Sequence, residues 1–181
     1  MTSTSKPAVS QRHRVQWPGF LQVMANPAYF VAFGFGVGLL RPGSGTWGSI
    51  LALLMWPFMS VLLPWSWLGI FILALFVLGC VATGRASKSL GVEDHVGIVW
   101  DEMVAVWSLC WALPQHWAIL LIAFVLFRSF DVMKPFPIRK MDDVLKGGLG
   151  IMLDDVMAAL YAWLVTVTGT YVLILLGVSV S

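Results

Sequence analysis

Five carboxylates have the types and the spacing to do chemistry together. Each is predicted at the end of a long apolar segment, where a charged side chain is costly and commonly functional. They form two adjacent pairs and one single residue, called here the acidic cluster: Asp101, Glu102, Asp131, Asp154 and Asp155. The stretch 128–161 holds three of them and is also rich in basic residues. We therefore expect an active site to be organised around this stretch.

Carboxylates gathered in one place repel one another, so a positive group has to offset the repulsion. Nearby basic side chains are one source of positive charge: Arg128, Lys134, Arg139 and Lys140. A divalent cation is another, and an all-oxygen ligand set favours Mg²⁺, Ca²⁺ or Mn²⁺ over zinc. Adjacent acids on a helix point about 100° apart. Within each pair, one carboxylate can therefore face the bundle while the other faces a neighbouring helix or water.

A simpler interpretation of the acidic pairs stays open. Acids in the first turn of a helix complement the helix dipole, which is worth about 0.3–1 kcal/mol each. Both pairs are predicted in such first turns, Asp154 and Asp155 at the start of the last span. The dipole alone is a fair explanation of one pair, but a poorer one for both pairs together with Asp131.

Two other polar segments are weaker candidates. The segment from Arg41 to Thr46 (RPGSGT) precedes a long apolar helix, and helix N-termini with free backbone donors favour phosphate. A plain turn is the alternative there. The segment 93–95 (Glu-Asp-His) fits a solvated loop better, although His95 is near enough to Asp101 in sequence to reach the site.

The elements that must position these residues are apolar helices. The chain is 59% hydrophobic and only 11% charged, whereas soluble domains carry about 25% charged residues. Segment 27–40 is too short to span a bilayer, which takes roughly 20 residues. We predict an all-α integral membrane protein, with residues 1–26 as a cytoplasmic tail and 27–178 as one domain. The domain is expected to be a bundle of about five transmembrane helices plus an N-terminal interfacial or re-entrant helix, with spans near 47–63, 67–83, 98–113, 117–131 and 151–178.

The charge distribution predicts an orientation. With five spans, all eleven Lys and Arg residues fall on one side, while the turns at 64–67 and 113–117 and the C-terminal end carry no charged residue. The positive-inside rule then places the N-terminus and the acidic cluster at the cytoplasmic face, and the C-terminus outside. No basic stripe suited to nucleic acid is present, and the oligomeric state is not indicated.

Five sequence blocks resemble the phosphatidylglycerophosphatase A family of bacterial inner-membrane lipid phosphatases. They cover residues 30–160 approximately: GFGVGL (34–39), GTWGS (45–49), DHVGIVWDE (94–102), FRSFDVMKPFPIR (127–139) and GGLGIMLDD (147–155). One departure is Ser44, where the family often has proline before the Gly-Thr of the second block. The resemblance implies Mg²⁺-dependent hydrolysis of phosphatidylglycerophosphate, a phospholipid substrate, to phosphatidylglycerol and phosphate.

Together, the residues and the resemblance suggest a division of roles. The metal-binding set would be Asp101, Glu102, Asp154 and Asp155, directly or through water, with Asp131 completing it or acting as general base. The substrate phosphate would be held by Arg41, Thr46, Lys134 and Arg139. All five carboxylates are thus candidate catalytic residues.

One function from a different class is a transporter or ion pathway lined by carboxylates. Transporter sites tend to lie near the bilayer midplane on broken helices, whereas every charge here is predicted at one face. A purely structural subunit is a third interpretation, but it leaves the acidic cluster unexplained. The distribution of charge therefore favours chemistry at the membrane surface.

Overall fold

The protein is helical throughout the residues that the computed structural model describes, which are 17–92, 94–136, 138 and 145–177. No β-strand occurs in these ranges. The elements bounded within these ranges are two short helices, a 3₁₀ segment and five long helices. In chain order they are α1 (Phe20–Ala25), α2 (Pro27–Ala32), the 3₁₀ segment Gly34–Leu39, α3 (Ser44–Leu62), α4 (Trp65–Leu90), α5 (Trp100–Ala112), α6 (Trp117–Met133) and α7 (Gly147–Leu175).

Prolines and left-handed residues set the helix boundaries. Pro64 immediately precedes α4, where the missing N–H of proline costs no helix hydrogen bond. Helix α6 ends at Met133, and Lys134 caps it with φ 41°. Residue 134 precedes Pro135, which disfavours a right-handed helical conformation there. The span predicted near 117–131 therefore ends two residues later, at Met133.

Helix α5 is the buried centre of the bundle and carries Asp101 and Glu102 in its first turn, as predicted. Two of its tryptophan side chains donate hydrogen bonds to neighbouring helices. Trp107 Nε1 donates to the carbonyl of Ala52 in α3 at 3.0 Å, and Trp100 Nε1 donates to the carbonyl of Leu75 in α4 at 3.1 Å. A buried indole N–H requires such a partner, so these bonds help to fix where the first turn of α5 sits.

Among the helices in the described part of the chain, three are long and apolar enough to cross a membrane: α3 with 19 residues, α4 with 26 and α7 with 29. Helices α5 and α6 occupy the two other predicted spans, but they have only 13 and 17 residues. The prediction of five helices is thus matched in the bundle, whereas five complete crossings stay a prediction.

The N-terminal part differs from the single interfacial helix expected over 27–40. Helix α2 stops at Ala32, and the 3₁₀ segment that follows contains a kink at Phe35 and Gly36, with φ of 61° and 96°. Glycines tolerate such positive φ values, which explains why this glycine-rich stretch bends instead of continuing. Helix α1 lies within the stretch assigned to the N-terminal tail, and its Val23 is buried beside α2.

Helix α7 begins a turn earlier than predicted. It starts at Gly147, so the expectation that Asp154 and Asp155 lie in its first turn is wrong. The early start depends on Gly148, because a Cβ there would lie 1.8 Å from the carbonyl oxygen of Cys80 in α4. The two carboxylates therefore lie about two turns into the helix, beyond the first turn where the dipole acts most strongly.

Candidate active site

Arg128 lies at the centre of the acidic cluster. Its Nη1 is 2.8 Å from Glu102 Oε1 and 2.8 Å from Asp131 Oδ2, and it also donates to Ser49 Oγ at 3.4 Å. Three helices meet at this guanidinium: α3 through Ser49, α5 through Glu102, and α6, which carries Arg128 itself. A guanidinium has five donors and a fixed planar shape, so it holds several acceptors at defined positions.

Asp101 and Asp155 are buried, with 8% and 5% exposure. Asp101 Oδ1 accepts from the backbone N–H of Glu102 at 3.0 Å. The carboxyl groups of Asp155 and Asp131 lie next to each other, and Asp101 and Glu102 both act electrostatically on Asp155. Carboxylates from α5, α6 and α7 therefore converge at one end of the bundle, called here the charged end, as the sequence predicted.

Asp154 turns to a different partner. Its Oδ2 lies 2.9 Å from Nζ of Lys134, the residue that caps α6. The two acids of this pair thus diverge, one towards Lys134 and the other towards Asp131, as expected for neighbours about 100° apart on a helix. Arg139, the other predicted phosphate ligand in this region, lies outside the described residues.

The first turn of α3 packs directly on Glu102. A Cβ added to Gly45 would lie 1.8 Å from Glu102 Oε1, so only glycine leaves room for that carboxylate. Ser44 Oγ donates to the carbonyl of Val96, which joins the start of α3 to the loop before α5. Of the predicted phosphate-binding residues here, Thr46 is exposed, and Arg41 lies over the ring of Trp17 at 3.7 Å.

The loop before α5 is more ordered than a solvated loop. His95 is fully buried, its Nδ1 accepts from the N–H of Gly97 at 2.9 Å, and its ring contacts Trp17 and Phe33. His95 thus stabilises the loop through its hydrogen bond and is buried against aromatic rings. Its neighbour Asp94 is exposed and acts electrostatically on Asp101 and Glu102, at the rim of the site.

The donor set fits a magnesium ion in its chemistry. Glu102 Oε2 and Asp155 Oδ2 are buried and have no hydrogen-bond partner among the described residues. Two carboxyl groups in contact, such as those of Asp131 and Asp155, need a shared proton or a nearby cation. Carboxylate oxygens are the ligands that Mg²⁺ prefers. Within the described ranges, however, no three acidic, His or Cys side chains already form a coordination group.

Three features of the site were not predicted from the residue types and their spacing. Arg128 was expected to be one of several basic neighbours, whereas it is the bridge between two carboxylates. Gly45 belongs to the segment interpreted as a possible phosphate-binding helix N-terminus, whereas its role is to make room for Glu102. Asp94 was assigned to a solvated loop, and its position seven residues before Asp101 was the available signal.

Comparisons with known proteins identify the family to which the chain is similar. A family model described as phosphatidylglycerophosphatase A matches residues 30–170. A phosphatidylglycerophosphatase A from Haemophilus influenzae is 45% identical over 143 residues, covering 78% of this chain and 88% of the relative. One from Escherichia coli K12 is 39% identical over 136 residues, covering 75% of this chain and 78% of the relative.

A third relative has a different name. A putative phosphatidylinositol-3-phosphatase from Bacteroides thetaiotaomicron is 34% identical over 163 residues, covering 86% of this chain and 98% of the relative. No solved structure matches the chain. The match to the family model includes all five carboxylates of the acidic cluster, and the chain belongs to the phosphatidylglycerophosphatase A family.

Proposed function

We propose that this protein hydrolyses phosphatidylglycerophosphate to phosphatidylglycerol and inorganic phosphate at the acidic cluster. The observation that carries the proposal is the convergence of buried carboxylates from three helices around one guanidinium, in a member of this phosphatase family. Such a cluster costs folding free energy, and cation-assisted phosphate chemistry accounts for that cost.

The reaction replaces one phosphorus–oxygen bond by another. A water oxygen bonds to phosphorus, the bond from phosphorus to the glycerol oxygen breaks, and the glycerol oxygen takes up a proton. Mg²⁺ held by Asp101, Glu102, Asp154 and Asp155 would polarise the phosphoryl oxygens and activate the water. Asp131 is the candidate acceptor of the water's proton, and Arg128 fixes the position of its Oδ2.

Basic residues at the charged end are suited to the phosphate. Lys134 is 29% exposed in its side chain and already pairs with Asp154, so its ammonium can reach a phosphate that arrives from outside. Arg41, Thr46 and Arg139 remain the other proposed phosphate-binding residues. Phosphoryl transfer depends mainly on positioning and charge neutralisation, which is what these side chains supply.

We also propose that the charged end faces the cytoplasm of a bacterial inner membrane. The described basic residues Arg85 and Lys88 lie in the last turns of α4, near the start of α7, so they belong to the same end as the cluster. The positive-inside rule assigns that end to the cytoplasm. Five crossings would then place the C-terminus outside.

A second substrate class follows from the Bacteroides relative, whose name specifies a phosphatidylinositol phosphate. Both lipids present a phosphomonoester on an alcohol head group, so the acidic cluster suits either one. We favour phosphatidylglycerophosphate, because the two relatives with higher identity carry that name.

Phosphate release by the purified full chain in detergent micelles tests the proposal. We expect release from phosphatidylglycerophosphate with Mg²⁺ and loss of release when the metal is chelated. We also expect at least tenfold slower release from phosphatidylinositol 3-phosphate, which corresponds to a difference of about 1.4 kcal/mol in activation free energy. Faster release from the inositol lipid than from phosphatidylglycerophosphate would identify the inositol lipid as the preferred substrate. No release from either lipid by folded protein would refute the phosphatase function.

A further inference from the structure

A cavity of about 540 Å³ opens on the outer side of the bundle between α4 and α7. Its walls are almost wholly apolar, and Ser108 of α5 is the one polar side chain among its lining residues. It lies away from the carboxylates, deeper along the same helices. Its volume is in the range of about 300–1,000 Å³ that holds small-molecule ligands. We call this cavity the α4–α7 groove.

One helical stripe forms each wall of the groove. On α7 the lining residues are Val156, Ala159, Leu160 and Trp163, which recur at the spacing of a single helix face. On α4 the wall includes Leu73 and Phe76, and α5 forms the floor. Leu73 and Leu160 are 63% and 44% exposed, so the groove is open along its length to the surroundings of two membrane-spanning candidates.

Bulky side chains lie at both ends of the groove. Towards the charged end, Met152 of α7 fills the space at Gly79 of α4, where a Cβ would lie 2.6 Å from the methionine sulfur. At the far end, the indoles of Trp111 and Trp163 are fixed by hydrogen bonds to the carbonyls of Trp65 and Ala112, at 3.2 and 3.1 Å. A ligand therefore enters from the side and has a limited length to occupy.

The groove is continuous with the active site through the backbone. Val156 follows Asp155 directly, and the carbonyl of Leu75, beside Phe76, accepts from the indole of Trp100, the residue before Asp101. Trp163 lies about 12 Å further along α7 than Asp155, at about 1.5 Å per residue. A lipid whose head group sits at the acidic cluster has its acyl chains at this depth.

The shape of the groove selects among possible occupants. Helices α4 and α7 are in contact through Gly79 and Met152, whereas at the groove they form two walls with α5 as the floor between them. We infer from this that the groove is a wedge that narrows towards Gly79. A helix of a second protein is about 10–12 Å wide and rigid, and it does not follow such a wedge to its narrow end. A flexible hydrocarbon chain does.

We propose that the α4–α7 groove binds an acyl chain of the phospholipid substrate, with Trp111 and Trp163 limiting how much of the chain is bound. The assignment rests on the proposed lipid phosphatase function. It adds a second recognition site to the one for phosphate, and it predicts a preference among acyl chains that the charged end alone does not provide.

Filling the groove tests the proposal. Leu160→Trp narrows it, and Leu173→Trp is the matched control, because Leu173 is also 44% exposed on α7 but lies outside the lining. Leu73→Trp narrows the groove from α4. Phosphate release is measured with short-chain and long-chain phosphatidylglycerophosphate. We expect both groove variants to lower kcat/KM for the long-chain lipid about tenfold, the effect of losing roughly two buried methylene groups.

The short-chain lipid separates the possible outcomes. Unchanged short-chain release in the groove variants shows that they are folded and that the phosphatase function stands. If their long-chain kcat/KM then equals that of Leu173→Trp, the groove assignment is wrong. If even the unaltered protein releases no phosphate from either lipid, it is the proposed function that fails.

A photoreactive group at the end of an acyl chain distinguishes substrate from bulk lipid. We expect a phosphatidylglycerophosphate probe to label peptides containing Trp111 or Trp163, and unlabelled phosphatidylglycerophosphate to compete with it. Equal labelling by a phosphatidylcholine probe, without competition, would show that the groove holds bulk lipid and would overturn the assignment.

Discussion

At the scale of single residues, the site depends on one cation among several anions. Arg128 Nη1 contacts Glu102 and Asp131 at the same distance of 2.8 Å, and the side chains of all three are less than one fifth exposed. Removing one member of a buried ion pair leaves the others without compensation, which costs more than the pair contributes. Arg128 is therefore a positioning residue, since it orients carboxylates that are proposed to act on the substrate.

Two substitutions of Arg128 distinguish the contribution of its charge from the contribution of its planar shape. Arg128→Lys keeps the charge but loses the planar fork, and Arg128→Gln loses both. We expect about 100-fold lower kcat for Arg128→Gln, the typical cost of misplaced reacting groups, and a smaller loss for Arg128→Lys. Arg85→Gln, an exposed arginine on α4, is the control for phosphate release. Equal activity of Arg128→Gln and Arg85→Gln would contradict the positioning role.

Gly45 gives a second test at the residue scale. In Gly45→Ala the new methyl group would lie 1.8 Å from Glu102 Oε1, so the carboxylate has to move. We expect at least a tenfold loss of phosphate release, because small displacements of reacting groups are costly. Gly169→Ala, where a Cβ meets nothing within 4 Å, should keep its activity. Full activity of Gly45→Ala would mean that the position of Glu102 is unimportant.

At the scale of elements, the contact between α4 and α7 sets the depth of Asp154 and Asp155. Gly148 lies against the carbonyl of Cys80, and Gly79 lies against Met152 and Trp100. These close approaches let α7 begin at Gly147 and carry its two carboxylates inward beside α5 and α6. The helices therefore determine which side chains converge, through small residues that have no chemistry of their own.

Gly148→Ala tests this contact. The added Cβ would lie 1.8 Å from the Cys80 carbonyl oxygen, which is backbone and cannot rotate away. We expect the free energy of unfolding to fall by about 1–3 kcal/mol, as for other overpacked sites. Reversible unfolding in detergent measures the change, and Gly169→Ala again serves as the control. A Gly148→Ala protein as stable as the unaltered chain would show that α4 and α7 are less closely packed.

Elements that depend on local sequence signals could be predicted, whereas elements that depend on contacts between distant segments could not. Apolar length predicted the five long helices, because it is a local signal. The start of α7 and the break after Ala32 depend on backbone approaches between distant segments, so residues 27–40 and 147–150 were interpreted incorrectly. Likewise, residue type and spacing indicated the acidic cluster, but the Arg128 bridge requires the packing of α5 against α6.

At the scale of the whole molecule, the contacts place one end of each long helix together. The starts of α3, α5 and α7 meet the ends of α4 and α6 through Gly45 on Glu102, Gly148 beside Gly84, and Lys134 on Asp154. The opposite end carries Trp65, Trp67 and Trp117, which are about half exposed. Tryptophan favours the membrane interface, which is consistent with a bilayer between the two ends.

Cysteine labelling tests the proposed orientation. Ser66→Cys and Lys88→Cys place single thiols at exposed positions at opposite ends of α4, in a background where Cys80 and Cys110 are replaced by serine. A membrane-impermeant maleimide should label Ser66→Cys in cells with a permeabilised outer membrane, and Lys88→Cys only after the inner membrane is opened. The reverse pattern would place the charged end outside.

The most direct test of the acidic cluster as the catalytic centre is phosphate release by Asp155→Asn. This change keeps the shape of the side chain and removes one buried carboxylate with an oxygen that has no partner among the described residues. Thr166→Val, a buried polar change deeper in α7, controls for folding. We predict at least 100-fold lower kcat for Asp155→Asn on phosphatidylglycerophosphate with Mg²⁺, an effect of about 2.7 kcal/mol, and near-normal release for Thr166→Val. Normal release by Asp155→Asn would place the chemistry elsewhere.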